Sequence, residues 1–119
     1  MEKSEFVEVL KERTKKLAVN CILFYGKINK TDTTRVIGKQ LIRSATSTAA
    51  NYRAACISRS KKEFFSKISI VVEEADETLF WLEILKDSGL ASEEDLKPLL
   101  VETLEIVKIV SKARKNVSS

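Results

Sequence analysis

At 119 residues, 44% hydrophobic and 32% charged, the chain has enough apolar material for one folded domain and too much for a disordered one. Three Gly, one Pro and few β-branched runs leave little punctuation for a sheet, and no apolar run approaches the ~20 residues a membrane span needs. Histidine is absent, which removes most Ser-His and Cys-His nucleophile arrangements, the usual general base near neutral pH and the Glu-x-x-His helices of di-iron bundles.

Four helices follow in chain order. The first is expected over about 4–25, with Ser4 as N-cap, an inward stripe of Phe6, Leu10, Leu17, Cys21, Phe24 and Tyr25, and Gly26 as its stop. Thr33 or Thr34 opens the second, over about 33–57, carrying Val36, Ile37, Leu41, Ala45, Thr48 and Ala55 inward. The Ser58-Arg59-Ser60 break ends it. Ser60 with Glu63 three residues on makes a capping box for the third helix, over about 61–88, whose apolar surface runs from Phe64 and Phe65 through Ile68, Val71, Val72, Ala75, Leu79, Leu82 and Leu85 to Gly89. Ser92 with Glu93, Glu94 and Asp95 starts the fourth, over about 92–115, with Leu99, Leu100, Leu104, Val107 and Val110 as its apolar face. Pro98 sits late for an N-terminal proline, so a separate one-turn helix before it fits the pattern as well. Residues 116–119 are expected to fray.

Short connections make successive helices antiparallel neighbours, so the fold class is all-α: an up-down-up-down four-helix bundle in a single domain over 1–119. In that layout Cys21 and Cys56 sit roughly 20 Å apart along the axis, too far to bridge, and both read as reduced, buried thiols. The opening Met-Glu-Lys-Ser-Glu lacks the pattern of a secretory leader, and a bacterial cytoplasmic location is expected.

The net charge of +4 hides segregation. Residues 27–67 hold ten basic and two acidic side chains, whereas 73–105 hold two basic and eleven acidic ones. Folding the second and third helices about Ser58 sets Arg43 level with Glu73 and Lys39 level with Glu77, an interhelical ion-pair ladder. The opposite end collects Arg53, Arg59, Lys61, Lys62, Lys67, Lys108, Lys112, Arg114 and Lys115, opposed by Glu63 alone in this reading. Clustered cations of that kind attract phosphate backbones without sequence preference. Tyr52 is the one aromatic side chain read there as able to stack on a base.

From residue 40 onward, Ser44, Ser47, Asn51 and Ala55 place small or polar groups on one helical stripe, and Gln40, Ser44, Ser47 and Asn51 read as structural. Such a stripe favours close helix packing around a few hydrogen bonds, not catalysis. Trp81 fits core or a subunit contact. Glu73 and Glu77 share a face, but the facing cations predict ion pairs, so no metal and no cofactor is expected. No Gly-rich phosphate loop exists, and neither thiol has a positioned base.

Three segments carry a resemblance: Gln40-Leu-x-Arg43-Ser44-x-x-Ser47 with Asn51, then Ser60-x-Lys62-Glu63-Phe64, then Glu74-Ala-x-Glu77-Thr-x-x-Trp81-Leu82. With these the chain resembles the four-helix-bundle proteins encoded in intervening sequences of bacterial 23S ribosomal RNA, some of which carry an S23-type ribosomal-protein label. That family is in turn similar to the accessory proteins of diversity-generating retroelements. The resemblance implies a non-enzymatic, ring-like homopentamer; in the retroelement branch such rings bind nucleic acid and a reverse transcriptase. One departure stands out. Ala54 and Ala55 replace a Glu and a Gly usual after the Asn, which removes an acidic partner for Arg43 or Arg59. The expectation is therefore an oligomeric bundle that binds RNA or DNA through its basic end; the rival is a protein-interaction adaptor whose basic surface is incidental.

Overall fold

The computed structural model describes residues 2–118, with the side chain of Ser118 excluded. Four helices make up the chain: α1 (Lys3–Lys27), α2 (Asp32–Ala55), α3 (Lys61–Asp87) and α4 (Glu93–Ser118). Each helix packs on its sequence neighbours, and α4 returns to α1, so the four close a square around one core. The bundle measures 45 × 25 × 20 Å, close to the length of its individual helices at 1.5 Å per residue.

Leu10, Leu17, Cys21 and Phe24 of α1 meet Leu41, Ala45 and Tyr52 of α2, Ile68, Val71, Ala75, Leu82 and Leu85 of α3, and Leu96, Ile106 and Val110 of α4. Each large side chain buried this way contributes roughly 1.5–3 kcal/mol. Phe6 and Val36, read as inward, are exposed at 44% and 64%; Phe6 lies in the first turn of α1, and Val36 points away from Ile37, which takes the core position. Leu104 is likewise outside (43%), because Thr103 beside it faces inward.

The helix ends show which local signals dominate. Glu2, not Ser4, is the N-cap of α1, and it makes no side-chain cap bond. Gly26 does not stop α1, since it stays helical without positive φ. Instead Lys30 Nζ reaches back to the Tyr25 and Ile28 carbonyl oxygens, satisfying acceptors that the helix end leaves open. Thr31 caps α2 ahead of Thr33 and Thr34: its hydroxyl accepts from Thr34 N, and Thr34 Oγ1 accepts from Thr31 N in return. At α3, Ser60 accepts from Glu63 N at 3.0 Å, but the Glu63 carboxylate goes to Arg59 Nε and not back to the cap. Gly89 adopts φ 71° and closes α3, with Gly89 N donating to Lys86 O and Leu90 N to Leu85 O. Ser92 caps α4 through Asp95 N. Pro98 lies inside α4 with no separate turn before it; the bond lost belongs to the Glu94 carbonyl, close to the exposed helix start. Residues 116–118, expected to fray, continue α4, and Ser119 lies outside the described residues.

Gly38 has its own use. A Cβ there would fall 2.2 Å from Tyr25 Cε1 and 2.3 Å from Cδ1, so only a glycine lets the Tyr25 ring lie against the α2 backbone. Lys30 Nζ lies over the same ring, 4.5 Å from its centroid.

Candidate nucleic-acid interface and polar seam

Two side-chain groupings stand apart from the apolar core. The first is a seam between α2 and α3. Arg43 Nε donates to Gln40 Oε1 at 3.0 Å, Nη1 to Glu74 Oε2 at 3.0 Å and Nη2 to Glu77 Oε2. Trp81 Nε1 donates to the same Glu77 oxygen at 3.0 Å, and the indole meets Phe80 edge to face, centroids 5.0 Å apart. Beneath this layer the Thr78 hydroxyl lies 3.0 Å from Ser44 Oγ and 2.8 Å from the Glu74 carbonyl oxygen. Ser44 and Thr78 are fully buried. Asn51 donates back along α2 to Ser47 O and Oγ. The indole N–H first, and then the guanidinium, hold the Glu77 carboxyl below the usual carboxylate range.

The ladder expected from counting about Ser58 is not formed. Arg43 pairs with Glu74 and Glu77, Glu73 points to solvent, and no ion pair joins Lys39 to Glu77 among the described residues. Helix α2 ends at Ala55, two residues early, so the non-helical 56–60 shifts the level: the Ser44–Thr78 contact is centred on residue 61. The acidic residue missing at Ala54 leaves neither arginine without a carboxylate, since Arg59 Nε reaches Glu63 at 3.4 Å.

The second grouping is the basic end. Arg53, Arg59, Lys61, Lys62, Lys108, Lys112, Arg114 and Lys115 are exposed there, and Lys67 is half-buried. The end of α4 and the start of α3 come together, because the Arg114 guanidinium carbon sits 5.7 Å from the Phe65 ring centroid. The end is less uniformly basic than Glu63 alone would make it. Helix α1 begins beside the finish of α2, bringing Glu8 near Tyr52 and Cys56, and Glu8 pairs with Lys11 at 3.2 Å. Arg53 meanwhile lines a groove of about 590 Å³ between α1 and α2 together with Lys11 and Lys15, two cations not assigned from the sequence, and with the carboxylates of Glu8 and Glu12.

Tyr52, read as a stacking candidate, is 4% exposed and belongs to the core. Burial, followed by the neighbouring Cys56 and Glu8, pushes its phenol pKa up. Phe65 is the aromatic ring that the structure sets among the cations. Both cysteines are free. Burial pushes the Cys21 thiol up to about 12 and raises Cys56, which is half-buried and not fully so.

A third constellation escaped the sequence reading altogether. Arg13 of α1 clamps α4, donating from Nε and Nη2 to the two carboxylate oxygens of Glu102 (2.9 and 2.6 Å) and from Nη2 to Glu105 (2.9 Å). The partners lie some ninety residues apart, so no local spacing signals them. Among the described residues, no three His, Cys, Asp or Glu side chains gather as a metal site needs, and no helix is long and apolar enough to cross a membrane.

Fold and site together define a small antiparallel helical bundle with an ordered ion-pair seam on one face and a cationic end. The family model for 23S rRNA-intervening sequence proteins matches residues 8–112, and the chain belongs to that family. It is similar to the crystal structure of a protein with unknown function from the S23 ribosomal protein family of Bacteroides thetaiotaomicron VPI-5482, with a TM-score of 0.81, 30% identity, and coverage of 92% of this chain and 97% of that one. No curated protein matches the chain significantly.

Proposed function

We propose that the protein is a cytoplasmic, non-enzymatic homo-oligomer, pentameric as its resemblance implies, that binds RNA or DNA through the basic end of the bundle without strong sequence preference. The observation that carries this reading is the convergence at one end of cations from two sequence-distant stretches, the α2–α3 turn with its flanking helix ends and the last turns of α4. Several phosphates contacted together give affinity and salt dependence without base readout. The small and polar stripe on α2 and the Arg43–Glu74–Glu77–Trp81 seam support a structural part in holding helix register and a subunit contact.

A rival reading has one observation in its favour. Phe80, Val101 and Leu104 are 48%, 58% and 43% exposed, and exposed apolar side chains suit a protein partner, a reverse transcriptase being the kind the resemblance implies. Light-scattering mass measured with and without mixed-sequence RNA separates the readings. A multiple of the 13.4 kDa chain that gains mass with RNA supports the proposal; a monomer, or an oligomer indifferent to RNA at physiological salt, rejects it.

A further inference from the structure

We infer that the Phe65-backed guanidinium of Arg114 is a stacking position for an unpaired base, so that the ligand of the basic end is single-stranded nucleic acid rather than duplex. The inference rests on the proposed nucleic-acid reading and adds a substrate class to it.

Phe65 is half-buried in the first turns of α3, where Phe64 takes the more inward direction. Adjacent helical residues point ~100° apart, so both rings cannot face the core. Arg114 crosses from the last turns of α4 and places its guanidinium carbon 5.7 Å from the Phe65 centroid, within the range of a cation–π contact. Arg114 itself is exposed, and no carboxylate pairs with it among the described residues. The contact anchors the guanidinium beside the ring while Arg114 stays exposed, so a planar cation and an adjoining aromatic edge are both open to a ligand. Unstacked bases settle on such guanidinium planes and on aromatic rings, and every base has the flat surface required. Lys61 and Lys62 lie four and three residues before Phe65 on the same helix, and Lys112 is on α4 with Arg114. These cations suit the phosphates flanking a splayed base. A duplex keeps its bases stacked on one another and offers this position nothing but backbone.

The test is fluorescence anisotropy with a labelled mixed-sequence RNA of about 16 nucleotides, the same strand annealed to its complement, and an abasic oligomer of equal charge. Arg114→Lys keeps the charge and removes the plane; Phe65→Leu keeps an apolar side chain and removes the ring behind it, with circular dichroism to verify folding. The expected result is tighter binding of the single strand than of the abasic oligomer, and about a tenfold loss of single-strand affinity in each variant, with duplex affinity unchanged within twofold. If wild-type protein binds RNA but Arg114→Lys and Phe65→Leu bind the single strand equally well, the stacking position is overturned while the basic-end reading stands. Equal affinity for single strand, duplex and abasic oligomer overturns it in the same way. Failure of the wild-type protein to bind any of the three overturns both.

Discussion

Replacing Arg13 with Met tests what closes the bundle. The substitution keeps the aliphatic stem and removes three charge-assisted hydrogen bonds to Glu102 and Glu105, the cross-links between the first and last helices. The other three sides of the square are tied by short connections, but the α1–α4 side joins helices at opposite ends of the sequence. Arg13 and Glu102 are 29% and 33% exposed and Glu105 55%, so the pair sits between a screened surface bridge, about 0–1 kcal/mol, and a buried charged hydrogen bond, about 1.5–3 kcal/mol. A net 1–2 kcal/mol is a fair middle, and a few tenths more come from leaving Glu102 and Glu105 one turn apart without their common cation. The expected loss of about 1.5–2.5 kcal/mol corresponds to roughly 6–10 °C in Tm for a domain of this size. Thermal and urea melts followed by far-UV circular dichroism measure it, and a double-mutant cycle with Glu102→Gln should return a coupling of about 1 kcal/mol. A Tm within about 2 °C of wild type, or strictly additive single changes, would refute the clamp.

Three further outcomes concern Thr103, Gly38 and Glu77. Thr103 is fully buried and its hydroxyl has no hydrogen-bond partner, so Thr103→Val should raise the urea midpoint by about 1 kcal/mol equivalent; the same change at Thr78, whose hydroxyl is satisfied by Ser44 and Glu74, should lower it. Gly38→Ala gains about 1 kcal/mol of helix propensity but drives a methyl into the Tyr25 ring, an overpacking cost of about 1–3 kcal/mol. It should therefore destabilise the wild type and stabilise a Tyr25→Ala background, and the same sign in both backgrounds would contradict the contact. Glu77 has a folded-state carboxyl below its ordinary value, so the stability it adds is present above the unfolded pKa and is lost as pH falls through the lower folded one. Urea midpoints taken from about pH 6 to 3 should decline less steeply in Glu77→Gln than in wild type.

The helices were legible because their signals are local. Ser60 and Ser92 cap α3 and α4 as side-chain chemistry requires, and Gly89 supplies the one positive φ among the described residues. What escaped the sequence was set by distance or by competition. Gly26 looked like a stop but stays helical, and Lys30, three residues past the last helical one, reaches back to the end of α1. The register of Arg43 was off because α2 stops two residues early, and Glu74, not Glu73, faces α2 with Thr78 and Trp81. Phe65 was hidden in an apolar run read as wholly inward, and Tyr52 took its place as stacking candidate, although its α2 position points it at the core. The Arg13 clamp and the acidic side chains of the α1 start depend on which helices become neighbours at the closing edge, and no periodicity reports that.

Under the proposed function, sequence-distant cations act together on a phosphate backbone. Reversing Lys61, Lys62, Arg114 and Lys115 to Glu and titrating mixed single-stranded RNA across salt concentrations tests it most directly. Wild-type protein should show log affinity falling with log salt by about 0.7 per phosphate contacted, and the four-fold variant should show no salt-sensitive binding at all. Unchanged affinity and slope in that variant would contradict the claim.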